Sequence, residues 1–307
     1  MIHLSHNRVH RGRRPLVAAA VATALMLVGC SGAGGSEEPS PKAKTPSRIV
    51  SLSPTATETL FAIGAGDQVI AVDSLSDTPK EAPRTDLSAF NPNAEAVLAE
   101  DPDLVIIAQD VNGIADSLES ANVEVILAPT AASIDEAYQQ VGMLGEATGH
   151  TDEAAEVTST MHDRITKAIA RVPESVRNAE VSYFHELDST LYTAGNGTFL
   201  GEIYGLFGLT SIAGDGADYP QLSNEQVVSE NPELIFLADA GSDGGVSPDD
   251  VKARPGWSEV DAVKNGNVFP IDANLASRWG PSLPTFIESL SKILTEQAKL
   301  PEVAPAT

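Results

Sequence analysis

Two glutamates stand 130 residues apart in segments that read alike: Glu95 in NAEAVLAEDPDLVIIA (93–108) and Glu225 in SNEQVVSENPELIFLA (223–238). Aligned without a gap, Glu95/Glu225, Val97/Val227, Glu100/Glu230, Pro102/Pro232, Leu104/Leu234 and Ala108/Ala238 are identical. Each copy reads as a polar cap, a short helix, an acidic–Pro turn and an apolar strand. An acid at the same place in both copies can meet a basic partner at two points, which fixes orientation and speeds encounter more than it adds affinity. The same carboxylates also suit the positive end of the helix each one opens, and Ser223 with Gln226 reads as a capping box.

Other reactive patterns are sparse. His150, His162 and His185 have no HxxxH or similar ligand spacing, and no His/Asp/Glu cluster has the spacing of a metal site. Gly64-Ala65-Gly66 lacks the third glycine and the helix opening of a dinucleotide fingerprint, and no P-loop, GxSxG elbow or HExxH is present. The one cysteine, Cys30, rules out an internal disulfide and a thiolate zinc site. It ends Leu27-Val28-Gly29-Cys30, which resembles the bacterial lipobox, whose cysteine is acylated and becomes the first mature residue. Before it lie Arg8, Arg11, Arg13 and Arg14 and the apolar run 16–28. Thirteen residues rise only about 20 Å as a helix, short of a bilayer core of about 30 Å, so 1–29 reads as a lipoprotein signal. Residues 30–46 follow as the lipidated cysteine and a tether with no apolar side chain larger than Ala in 31–46.

The chain has 307 residues, 42% hydrophobic and 20% charged, enough for two cores of ordinary size. Its net charge of −24 repels phosphate backbones and disfavours nucleic acid. From Ser47 onward, short Val/Ile/Leu runs at 48–52, 68–72, 103–108 and 123–127 alternate with helical patterns such as 55–63 and the stretch opened by Ser133-Ile134-Asp135-Glu136. The alternation resumes over 179–184, 198–207, 234–238 and 267–271 and closes with a helix over 283–294. Such runs predict parallel sheets covered on both faces. Between the two series, 151–172 is one uninterrupted helix without Gly or Pro. The expected fold is α/β, with an N-terminal lobe at 47–150, a linking helix at 151–172 and a C-terminal lobe at 173–307.

RIVSLSPTATETLFAIGAGDQVIAV (48–72), the Glu95 segment and YPQLSNEQVVSENPELIFL (219–237) resemble the substrate-binding proteins of iron-siderophore, haem and vitamin B12 importers. The resemblance covers nearly all of 47–300. It implies two Rossmann-like lobes joined by one long helix, a ligand cleft between them, and no enzymatic activity or cofactor beyond Fe or Co carried inside the ligand. It implies an ABC permease dimer with ATPase subunits as partner, and a monomer held by its lipid at the outer face of the cytoplasmic membrane. Glu95 and Glu225 match the family's two permease-docking glutamates. Phe90, Tyr192, Tyr219, Arg278 and Trp279 fall in loops where the family places ligand contacts, and His185-Glu186 could touch the cleft and ligate haem iron. Few arginines are available for an anionic chelate, only Arg84 and Arg278 near strand-end loops, so the ligand order reads corrinoid, ferric siderophore, haem. The alternative is a secreted, membrane-anchored hydrolase or oxidoreductase. A linking helix of about 33 Å with no kinking residue predicts a largely preformed cleft.

Overall fold

The computed structural model describes residues 45–241 and 245–300, so the signal, Cys30 and most of the tether lie outside the described residues. The described residues belong to one compact unit. Its first half runs β1 (Ile49–Leu52), α1 (Pro54–Ala62), β2 (Val69–Val72), α2 (Ala94–Leu98), β3 (Leu104–Ile107), α3 (Ile114–Glu119), β4 (Glu124–Leu127) and α4 (Ile134–Thr148). The linking helix α5 (Thr151–Arg171) and a short α6 (Glu174–Arg177) follow. The second half runs β5 (Ser182–Glu186), α7 (Phe199–Gly205), β6 (Thr210–Ser211), α8 (Asn224–Glu230) and β7 (Leu234–Leu237). It ends with α9 (Pro248–Ala253), α10 (Asp261–Asn265), β8 (Val268–Pro270), α11 (Ala273–Ala276) and α12 (Leu283–Lys292).

Both sheets have the same order. They read β2-β1-β3-β4 and β6-β5-β7-β8, and every neighbouring pair is parallel. The repeated segment becomes α2–β3 in one lobe and α8–β7 in the other. Asn93 caps α2 by accepting from Ala96 N–H, and Ser223 forms the full reciprocal box with Gln226. After each helix the chain turns through a left-handed residue, Asp101 at φ 54° and Asn231 at φ 50°. The residue that follows the buried proline then fastens the neighbouring strand. Asp103 accepts from the N–H groups of Ser47 and Arg48, both at 2.9 Å, and Glu233 accepts from Ser182 N–H at 3.0 Å. One sequence repeat has become one structural repeat, fastener included.

Local differences have local causes. At Ser133 a capping box is half formed: its hydroxyl accepts from Glu136 N–H, but the Glu136 carboxylate accepts from Ala132 N–H at 2.7 Å, one residue earlier. β5 begins at Ser182 rather than 179 because Glu180 sits at φ 53°, and it continues to Glu186, taking His185 into the sheet. The last helix widens after Lys292 into a π-type turn, Ile293–Gln297.

The two halves share a core. One apolar cluster runs from Ile49 through α4, α5 and α12 to Leu294, and each sheet has a smaller cluster on its other face. α5 is 21 residues long and buries Ala154, Met161, Ile165 and Ala168 at helical spacing. Its Arg164 bonds Glu288 at 2.8 Å and Thr285 at 2.9 Å on α12, and Ser291 donates to the Ala168 carbonyl at 2.7 Å. α4 meets α5 at Gly145, where a Cβ would lie 2.3 Å from that of Ala154, so only glycine permits this approach. The linking helix is thus gripped along both sides.

Candidate functional site: a cleft at the carboxyl ends of both sheets

Open parallel sheets leave a crevice beyond their carboxyl ends, where the strands stop and the loops separate. Here the loops after β1, β2, β3 and β4 and those after β5, β7 and β8 converge on two adjoining cavities of 410 and 420 Å³. They share Thr130, Asn274, Ser277 and Trp279, so they are two sides of one cleft. Cavities of this size and lining suit small organic ligands rather than a bare ion. Among the described residues, no group of three or more His, Cys, Asp or Glu side chains could hold a metal ion.

The two walls differ. The first-lobe wall carries Asp73, Asp77, Arg84 and Arg278 with Leu75 and Phe90 at its rim, exposed by 49% and 73%. Among the described residues the second-lobe wall has no charged lining residue; Leu187, Phe199, Leu200 and Tyr219 dominate it, with His185 among them. Trp279 belongs to both. Its indole N–H donates to Gln140 on α4 at 3.0 Å, and Gln140 in turn donates to the Pro129 carbonyl at 2.7 Å. The ring is therefore held from the first lobe although it enters on the segment between α11 and α12.

Arg278 lies in the wall but is not free for a ligand. It is 6% exposed, bonds Glu58 on α1 at 2.6 Å, and reaches Asp77 at 3.4 Å. Next to it, a Cβ on Gly280 would stand 3.0 Å from Thr55 Cγ2, so this segment lies flat on α1. Together these contacts tie the halves at a second place, besides α5. Burial raises the carboxyls of Glu58 and Asp73, with Arg278 opposing it at Glu58 and Ser76 opposing it at Asp73. The Arg84 side chain, by contrast, is exposed and has no partner among the described residues.

The remaining predicted residues are placed as follows. Phe90, Tyr219 and Trp279 line the cleft. Tyr192 lines neither cavity; it is 41% exposed and bridges to Gln221. His185 faces the cleft wall, whereas strand alternation turns Glu186 to the opposite face, where Arg254 grips it in two bonds and lies over the Trp257 ring at 4.6 Å. Glu95 and Glu225 are exposed, each in the first turn of its helix, and neither carboxylate has a partner among the described residues. Leu75, Thr130, Asn274 and Ser277 were not singled out from sequence. Their only signal is that they follow β2, β4 and β8, where the cleft was expected.

The sequence profile of the periplasmic binding protein family matches residues 49–275. An ABC transporter substrate-binding lipoprotein of Bacillus subtilis (strain 168) is 30% identical, over 91% of this chain and 96% of its own length. A cobalamin-binding protein of Halobacterium salinarum is 32% identical over 78% of this chain and 66% of its own length. The solved periplasmic vitamin B12-binding protein of Vibrio cholerae superposes with a TM-score of 0.66 at 26% identity, over 82% of this chain and 99% of that one.

Proposed function

The chain belongs to the periplasmic binding protein family and is a substrate-binding protein of ABC import, and from that premise we propose that its ligand is a corrinoid. The observation that carries this reading is the charge of the cleft. Its one deep arginine, Arg278, is already neutralised by Glu58 and Asp77, and among the described residues its second-lobe wall is uncharged. Haem propionates and most ferric siderophores are anionic and call for grouped cations; Arg84 alone faces them. A bulky macrocycle fringed with amides suits flat aromatic faces, and Trp279, Phe90 and Tyr219 supply three. The likeness to a cobalamin-binding and a vitamin B12-binding protein supports the same choice.

In this reading Glu95 and Glu225 dock the loaded protein on a dimeric permease, one lobe to each subunit, and ATPase subunits drive release. Cys30 carries the lipid that keeps the protein at the outer face of the cytoplasmic membrane. No helix among the described residues is long and apolar enough to cross a membrane. The alternative of an anchored hydrolase or oxidoreductase finds no support in the relatives, which are binding proteins. Equilibrium dialysis against cyanocobalamin, haemin and a ferric tris-catecholate tests the ligand. Saturable retention of cyanocobalamin at micromolar concentration or below is the expected result. Retention of haemin or the catecholate alone would overturn it.

A further inference from the structure

His185 is fully buried, yet it is one of the residues that line the second-lobe wall of the cleft. Its Nδ1 lies 2.8 Å from the hydroxyl of Tyr204, while its Nε2 is sealed from solvent and has no hydrogen-bond partner among the described residues. Tyr204 is itself fully buried and held by rings: Tyr183 at 4.1 Å, Phe236 at 5.0 Å and Phe286 at 6.4 Å between centroids. Its hydroxyl cannot swing to another partner, and Nδ1 is the one it has among the described residues.

Counting hydrogens decides the tautomer. If Nδ1–H donated to the tyrosine oxygen, both the tyrosine hydrogen and the Nε2 lone pair would be buried without partners. If the tyrosine O–H donates to Nδ1, the ring proton sits on Nε2 and a single group is left unmatched. Buried polar groups left unmatched are costly, so the second arrangement prevails. Burial also depresses the imidazole to about 4, which keeps it neutral.

We propose that His185 Nε2–H, oriented by Tyr204, is a hydrogen-bond donor built into the second-lobe wall for an uncharged acceptor oxygen of the ligand. On the corrinoid reading, from which this inference starts, that acceptor is an amide carbonyl of a peripheral side arm. A carboxylate would be a poor occupant. Among the described residues nothing charged lines this wall, and a neutral donor does not offset the desolvation of an anion. An amide loses less and gains the bond that Nε2 lacks. Since Nε2 is sealed in the free protein, the arm reaches it as a wall side chain moves aside.

The experiment uses the full chain and cyanocobalamin. Calorimetric titration of His185→Phe should show about tenfold weaker binding or worse, with His185→Gln, whose amide can donate, recovering part of the loss. Tyr204→Phe, which frees the tautomer, should fall between wild type and His185→Phe. Nitrogen-15 NMR of the imidazole should find the proton on Nε2 and Nδ1 as acceptor in the free protein, with the Nε2 proton shifted on binding. Wild-type affinity in His185→Phe would overturn the proposal, as would a proton on Nδ1 in the free protein. The two failures separate: if the wild type does not bind cyanocobalamin, the corrinoid reading falls, while the NMR spectrum of the free protein still decides the donor.

Discussion

Ser51 and His185 hold the same position in the two lobes. Ser51 pairs with Ile106 in the first sheet and His185 with Phe236 in the second, and Ile106 and Phe236 are themselves repeat partners. Around Ser51 the first lobe builds a hydroxyl cluster: Ser51 donates to the Ser53 carbonyl, Thr57 to Ser51 at 2.9 Å, and Ser76, 3.0 Å from Thr57, donates to Asp73. Around His185 the second lobe builds a stack of Tyr183, Tyr204 and Phe236. The duplicated scaffold stays alike where it packs and where it exposes Glu95 and Glu225, and diverges where it faces the cleft. A site made this way offers a ligand two unlike surfaces: one polar and charge-compensated, one more apolar and aromatic.

The largest effect should come where the lobes are alike. Glu95→Ala with Glu225→Ala should abolish uptake in a transport assay and leave ligand affinity unchanged, and the two single variants should be impaired equally. Normal uptake by the double variant would remove the docking role proposed for both. Next in size is the tie found only on the first-lobe side. Arg278→Met leaves Glu58 buried without its counter-ion and should cost about 3–5 kcal/mol in urea unfolding, most of it regained on adding Glu58→Gln. A loss below about 1 kcal/mol would show that the tie adds little to what α5 and the shared core already supply.

A third prediction concerns pH. His185 is depressed from 6.5 to about 4, so the folded state binds fewer protons than the unfolded chain in that window. Its contribution is present above pH 6.5 and lost as the pH falls towards 4, on the order of 3 kcal/mol in all. Glu58 and Asp73 are raised and act with the opposite sign, so the comparison is the difference between wild type and His185→Phe across that range. Parallel stability curves for the two proteins would contradict the buried, neutral imidazole. The smallest effect contrasts the two left-handed turns. Asp101→Gly should be neutral or gain up to about 1 kcal/mol, since its Arg48 contact of 3.6 Å is exposed. Asn231→Gly should lose about 1 kcal/mol, because Asn231 bonds Asp261 twice at 2.8 Å.

The sheets were legible because each strand is a short apolar run, and the equivalence of the lobes because β3 and β7 retain a gapless repeat. The cleft was legible as a place, at the carboxyl ends, and through Phe90, Tyr219 and Trp279 as side chains. Arg278 was not legible as a tie: Glu58 is 220 residues away, and no local pattern announces such a pair. Tyr192 looked like a cleft aromatic but bridges to Gln221 outside it. The depth of His185 depended on β5 starting three residues late, a consequence of the left-handed Glu180.

The claim that one ligand is held between two unlike walls is tested most directly by hydrogen–deuterium exchange with and without cyanocobalamin. Binding should slow exchange in the loops after β2 (73–77), β5 (187–190) and β8 (272–279) together, and leave the turns at Asn93–Glu95 and Ser223–Glu225 unchanged. Protection confined to one lobe, or centred on the two glutamate turns, would contradict the account.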